Sequence, residues 1–592
     1  MNDSPFWNEE WTQTQRKYWE AWSEMSREAL GPEGATKPPL ESALEHWWQG
    51  VSASAGEAGR DFMEKMLEQG RGFFHIAENY YRNAAESRDW QEAASRTVSE
   101  LLNDLPRNGV VESLLSMPGF GYLREEEERY KGVIRLIASY RRALLEYMTF
   151  FSTLGPLSAD RLRDRIQGLA DEDRQVESAR GLFDLWVGAS EEVYTEQVMT
   201  PEYTRLHGDL VNALMALKQG LSAWASPRYS KWRRRAVQPF NLQPERLFGE
   251  MLEFSRKLGK GFHNLINAEK IDAGVTPRVE VYREDKLRLY RYESPAAVVK
   301  SPVPTLIVYA LVNRPYVTDL QENRSIVSSL LAAGQDIYLV DWGYPDEADR
   351  ALTMDDYING YLDRCVDLIR KRHGIDSINL LGICQGGAFS LCYTSLHPDK
   401  VRNLITMVTP VDFKTPDNML STWVRHIDID LLVDTLGNVP GALLNWSFLS
   451  LKPFSLTGQK YLGMVDMLED EDQLKNFLRM EKWIFDSPAQ AGETFRQFIK
   501  TFYQQNGFLN GGVKLGGREV DLKNITCPLL NIYAEQDHLV PPDASRALCD
   551  LTGSSDYTEL SFPGGHIGIY VSGRAQKLVP PAIASWLDER VG

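Results

Sequence analysis

The sequence predicts an α/β domain, a parallel-rich sheet with helices on both faces, preceded by an all-α region. Three observations point there. Beyond about residue 285, short apolar runs alternate with helical stretches, the pattern of a sheet covered on both sides. Before about residue 225, apolar residues recur at helical spacing and strand-like alternation is absent. Between the two halves the composition changes, around a basic cluster of Arg233, Arg234 and Arg235.

The helical half, 1–225, begins with Ser4 as an N-cap and Pro5 at the first helical position. Trp7, Trp11, Tyr18, Trp22 and Met25 then fall on one helical face, and Gly31-Pro32 stops the helix. Further helical patterns lie near 59–83, 90–103, 123–153, 174–198 and 203–225. Ten of the fifteen tryptophans precede residue 233, so an aromatic bundle core is expected. An aromatic face that docks on a partner or an apolar particle is the other reading. The junction at 226–245 reads as a solvated linker, with docking on anionic lipid as its alternative.

A chain of 592 residues exceeds one typical domain. Its net charge of −17 argues against a nucleic-acid partner, which requires a basic face. The five cysteines form no C-x-x-C pair, so neither a zinc site nor a disulfide framework is expected, and a reducing cytoplasm fits. No signal peptide and no membrane-spanning segment are expected either.

In the second half, 246–592, strands are expected at 305–312, 336–342, 378–382, 404–408 and 529–534. Helices are expected at 321–333, 354–373 and 385–397. From about 412 to 524 the alternation breaks into a helix-rich, aromatic insertion holding Trp423, Trp446, Phe448, Phe454, Trp483 and Phe485, which reads as a cap.

The run Ile378-Asn-Leu-Leu-Gly-Ile-Cys-Gln-Gly-Gly387 carries the chemistry. Gly382-Ile-Cys-Gln-Gly386 is the G-x-S-x-G nucleophile elbow of the α/β-hydrolase fold with cysteine in the serine position. Asp537 ends a buried strand-like run, and His566 follows a strand and a glycine turn, where it is expected to be exposed. Nucleophile, acid and histidine is the chain order of that fold.

Cysteine is an informative choice of nucleophile. A thiol that attacks a thioester yields another thioester at nearly equal free energy, so the acyl group stays activated for a later acceptor. His566 would take the thiol proton. Asp537 would orient His566, or assist a second proton transfer from the acceptor. The backbone N–H of Gln385 and that of Val312 would form the oxyanion hole. No metal and no cofactor are required. Water as the acceptor would make the same triad a thioesterase. Cys365 and Cys392 read as packing residues, Cys527 and Cys549 as inert, Asp412 as a turn residue and His538 as structural.

Residues 241–592 resemble the catalytic C subunit of class III polyhydroxyalkanoate synthases. The matching stretches include Tyr309-Ala-Leu-Val-Asn-Arg-Pro-Tyr316, Asp341-Trp-Gly-Tyr-Pro345, Met407-Val-Thr-Pro-Val-Asp-Phe413, Phe477-Leu-Arg-Met-Glu-Lys-Trp483, Gln536-Asp-His-Leu-Val-Pro-Pro542 and Phe562-Pro-Gly-Gly-His566. Residues 1–225 resemble the companion E subunit through Gln15-Arg-Lys-Tyr-Trp19, Asp61-Phe-Met-Glu-Lys-Met66, Pro118-Gly-Phe-Gly-Tyr122 and Thr200-Pro-Glu-Tyr203. In the family these are two chains, and here they are one. The E-like part reads as short, ending at the basic junction. The resemblance implies an (R)-3-hydroxyacyl-CoA substrate such as 3-hydroxybutyryl-CoA. The acyl group would be carried on Cys384, and the 3-hydroxyl of a bound unit, assisted by Asp537, would extend a polyester. It also implies a homodimer through the cap and residence on cytoplasmic polymer granules.

Overall fold

Among the described residues, four helices precede the sheet. The computed structural model describes residues 124–171, 179–224, 274–295, 301–460 and 471–590, all within one compact unit spanning 112–592. The helical expectations before residue 104 and the 226–245 junction lie outside the described residues. The helices are α1 (Arg124–Ser152), α2 (Leu154–Asp171), α3 (Ala179–Val198) and α4 (Pro201–Trp224). α1 pairs with α4, and α2 with α3. Thr200 caps α4 by accepting the Tyr203 N–H at 3.3 Å, and Pro201 fills the first helical position. α2 is absent from the sequence reading, which passes from 123–153 to 174–198. The break falls at Thr153, and Pro156 sits in the first turn of α2, where its missing N–H costs no bond.

The main sheet has eight strands. They are β1 (Arg278–Glu284), β2 (Leu287–Tyr292), β3 (Thr305–Val308), β4 (Ile337–Asp341), β5 (Ile378–Ile383), β6 (Val401–Met407), β7 (Leu529–Ala534) and β8 (Tyr557–Phe562). Their order is β1-β2-β4-β3-β5-β6-β7-β8. β3 to β8 run parallel, while the pairs β1–β2 and β2–β4 are antiparallel. Among the described residues, strand structure therefore starts at Arg278, ahead of the expected 285.

Successive side chains of the strands feed two cores. Leu306 and Val308 join one with α6 (Asp363–His373) and α7 (Gln385–Leu396). Ile307 joins the other with α5 (Ile326–Ala332) and α13 (Gly573–Asp588), the last helix of the chain. Burial on both faces explains why these strands read as unbroken apolar runs.

The cap lies between β6 and β7. Its helices are α8 (Met419–Val424), α9 (Ile429–Leu436), α10 (Gly441–Leu449), α11 (Glu471–Phe485) and α12 (Gly492–Phe498), the last continuing into a wide turn, Ile499–Gln504. The expected 412–524 insertion also holds a short strand pair, Lys514–Leu515 with Arg518–Glu519.

α3 and α4 dock on this cap. Phe150, Tyr194, Val198, Tyr203 and Leu206 form one buried cluster with the cap residues Met419, Trp423 and Leu451. Tyr194 donates to the Ser450 carbonyl at 2.6 Å, and the Trp423 indole donates to the Val198 carbonyl at 3.2 Å. Asn212 receives the Asp428 N–H at 2.7 Å and donates to the His426 carbonyl at 2.9 Å. His207 is buried in the seam, stacked on Tyr203 at 5.6 Å. Burial pushes the imidazole down to about 4, so it is neutral there. One turn of α4 touches backbone. A Cβ on Gly208 would meet the His426 Cβ at 2.6 Å and its carbonyl oxygen at 2.8 Å.

Gly208→Val should therefore destabilise the seam by about 1–3 kcal/mol, the usual cost of overpacking. Equilibrium denaturant unfolding reads this directly. A midpoint identical to the wild type would refute the close approach.

Candidate active site

The site is built on the end of β5. All six residues of that strand are buried, and Cys384 follows with φ 53° and ψ −121°. A non-glycine residue held there stores on the order of 1–3 kcal/mol of strain. The neighbours hold it in place. The Cys384 N–H donates to the Met407 carbonyl of β6 at 2.9 Å. A Cβ on Gly386 would lie 2.2 Å from the Val308 carbonyl oxygen, and one on Gly387 would lie 1.8 Å from the Thr409 hydroxyl. These glycines let α7 start directly against the sheet, which lifts Cys384 out of it.

Asp537 and His566 arrive from the ends of β7 and β8. His566 Nδ1 donates to Asp537 Oδ2 at 2.7 Å. Asp537 Oδ1 accepts the N–H groups of Leu539 and Val540 at 2.9 and 2.8 Å. Cys384 and His566 lie on one cavity wall, and Cys384 is among the groups that raise the imidazole. The structure thus brings together Cys384, Asp537 and His566. It corrects one expectation: His566 is only 5% exposed. The Gly564-Gly565 turn carries it back into the interior, where Tyr570 meets its ring edge-on at 6.1 Å. Burial alone would drive the imidazole toward neutrality. Interaction with Asp537 and Cys384 outweighs it and raises the group to about 10.

Gln385 and Val312 also meet at the site. Neither the Gln385 N–H nor the Val312 N–H has an acceptor among the described residues. Gln385 contributes something the sequence reading omits. Its side-chain oxygen accepts the Leu311 N–H at 3.1 Å, fixing the 309–313 loop against the elbow. Asn313, at φ 56°, ties the same loop to the cap by donating to the Ile484 carbonyl at 3.0 Å. The Trp483 indole donates to the Arg314 carbonyl at 2.8 Å. An Asn in a stretch otherwise short of glycine was the available signal, because Asn tolerates a left-handed backbone.

A cavity of about 840 Å³ opens over the thiol. Cys384, Gln385, Val312 and His566 all lie on its wall, and the cap contributes Phe448, Met480, Phe498 and Tyr503. The wall is thus apolar with a few convergent polar groups, as small-molecule sites are. His538 also lines it, pushed down to about 4, chiefly by burial. Asp412 is a turn residue that accepts from the Lys414 N–H at 2.8 Å. Burial pushes the Cys365 and Cys527 thiols up to about 12 and the Cys392 thiol higher still, so these remain protonated. Among the described residues, no cluster of His, Cys, Asp and Glu could hold a metal ion, and no helix is long and apolar enough to cross a membrane.

Comparison with known proteins adds two family matches. Residues 10–110 and 102–226 match the family described as poly(R)-hydroxyalkanoic acid synthase subunit, and residues 304–572 match the alpha/beta hydrolase fold. The poly(3-hydroxyalkanoate) polymerase subunit PhaC of Allochromatium vinosum is 74% identical over 353 residues, covering 60% of this chain and 99% of that protein. The subunit PhaE of the same organism is 34% identical over 273 residues, covering 38% of this chain and 76% of that protein. PhaE of Thiocystis violacea is 32% identical over 328 residues, covering 47% of this chain and 90% of that protein. That 47% exceeds what residues 1–226 amount to, so the likeness to PhaE runs past the basic junction where the sequence reading ended it.

Replacing the carboxylate isolates its effect on the imidazole. In Asp537→Asn, burial is opposed by Cys384 alone, and the His566 titration should fall toward or below the ordinary 6.5. A raised histidine stabilises the fold fully below its unfolded value and loses that contribution as pH rises through its folded value. The wild type should therefore exceed the variant in stability most below about pH 6.5, with the gap closing toward pH 10. Imidazole NMR titration with unfolding at several pH values checks both. An unmoved His566 titration would contradict the assignment.

Proposed function

Because the chain belongs to the poly(3-hydroxyalkanoate) polymerase family, with a PhaE-like part and a PhaC-like part in one polypeptide, we propose that it polymerises (R)-3-hydroxyacyl-CoA, of the 3-hydroxybutyryl class, through an acyl-Cys384 intermediate. The observation that carries this reading is the Cys384–His566–Asp537 array opening into an apolar cavity under the cap.

The Cys384 sulfur attacks the thioester carbonyl carbon. The carbonyl oxygen draws its negative charge into the Gln385 and Val312 N–H groups, and the bond to the CoA sulfur breaks. His566 takes the Cys384 proton and returns it to the departing CoA thiolate. In the second half-reaction the 3-hydroxyl of a neighbouring unit attacks the acyl-cysteine. An ester bond forms, and the Cys384 sulfur is released.

The geometry favours His566 as the base in this step too. Both Asp537 oxygens are occupied, by His566 on one side and by two backbone N–H groups on the other, and Asp537 does not line the cavity. Its role is then to orient and charge the imidazole rather than to meet the acceptor hydroxyl. The apolar lining serves the same chemistry by keeping water, the competing acceptor, away from the thioester.

No cofactor takes part, since CoA is only the leaving group. The expected setting is the surface of cytoplasmic polymer granules, and the expected assembly a homodimer. Because α3 and α4 cover the cap around Trp423 and His426, a dimer through the cap would use the remaining cap face.

Purified protein given (R)-3-hydroxybutyryl-CoA should release CoA in step with insoluble polyester. Cys384→Ala should lower that release by about 10³-fold or more. Free 3-hydroxybutyrate in place of polyester would make the chain a thioesterase. Full activity in Cys384→Ala would remove the covalent route.

A further inference from the structure

The cavity wall is electrically uneven. Its ionisable groups are Cys384, His566, His538, Lys460, Glu481 and Arg324, apart from tyrosines. His566 is balanced by Asp537. Lys460 is paired with Glu481. His538 is neutral through burial. Arg324 is different: among the described residues neither a hydrogen bond nor an ion pair engages its guanidinium.

The surroundings of Arg324 are polar, unlike those of Cys384. Arg324 pairs in register with Gln321 in a short antiparallel strand pair, Asp319–Gln321 with Arg324–Ser325. The Gln321 side-chain oxygen accepts from Arg479 of α11 at 3.1 Å. Gln473 and Asn476, on the same helix as Arg479, line the same cavity as Arg324. An uncompensated guanidinium with amide neighbours on a half-buried wall is suited to a phosphate, which it can meet with two parallel N–H donors.

The proposed reaction offers a single matching group. The 3-hydroxyacyl chain is neutral and the polyester is neutral. The leaving group alone is anionic, through its diphosphate and its ribose phosphate. We propose that Arg324 is a phosphate subsite for the CoA moiety, holding the charged end of the thioester while the acyl end lies against Cys384. This rests on the functional reading above and adds to it how the enzyme distinguishes a CoA thioester from other thioesters.

Truncated substrates separate the two ideas. The full chain is given (R)-3-hydroxybutyryl thioesters of CoA, dephospho-CoA and pantetheine, and kcat/KM is measured for each. The wild type should prefer the CoA ester over the pantetheine ester. Arg324→Gln should reduce that preference by about tenfold or more, chiefly through KM, as expected for loss of a charge-assisted pair. Arg324→Lys should restore part of it. If the drop appears between CoA and dephospho-CoA, the ribose phosphate is the ligand; if between dephospho-CoA and pantetheine, the diphosphate is. An equal loss on all three esters, or an unchanged preference, would overturn the subsite.

Two further readouts test the subsite without requiring an active variant. Pantetheine inhibiting the wild type as strongly as CoA does would overturn it. If no thioester is turned over at all, the functional reading fails. Calorimetric titration of CoA into wild type and Arg324→Gln still tests the subsite, which requires the weaker binding in the variant.

Discussion

The strained backbone of Cys384 is the constraint from which the site follows. A left-handed conformation at a residue with a side chain persists only where its surroundings leave no alternative. Here the strand is buried on both faces, the N–H is bonded to Met407, and Gly386 and Gly387 leave no room for a side chain. That turn decides where α7 begins. The Gln385 side chain then fixes the opposite loop. One local distortion so places Cys384, Gln385 and the 309–313 loop together, with His566 on the same cavity wall.

Much of this was legible because each catalytic element closes a strand-like apolar run. β5, β7 and β8 appear in the sequence nearly at their observed bounds, and so do Cys384, Asp537 and His566 at their ends. What escaped is what depends on distant segments. His566 reads as exposed because its burial is set by the packing of other chain segments around the 562–568 turn. α2 contains a Gly-Pro pair, which breaks a helix in mid-run but is harmless in a first turn. Arg324 sits in the unremarkable polar stretch Gln321-Glu-Asn-Arg324, and only the shared cavity wall gives it a meaning. Backbone hydrogen bonds made by a side chain, such as that of Gln385, leave no trace in periodicity at all.

The cap belongs to two neighbourhoods at once. Its inner face supplies Phe448, Met480 and Phe498 to the cavity, and its outer face supplies Met419 and Trp423 to the cluster with α3 and α4. Phe448 packs against that outer cluster as well. A displacement of α4 would therefore be felt at the cavity wall through a single layer of side chains, since close-packed interiors transmit rather than absorb small shifts.

The α4 contact also changes the arithmetic of assembly. Where helices and cap belong to separate molecules, occupancy of the seam follows concentration and falls on dilution. Here the seam is intramolecular, so its effective concentration is set by the length of the connecting segment and not by how much protein the cell contains. Every catalytic centre is accompanied by one set of helices, in a fixed ratio, from the moment the chain folds.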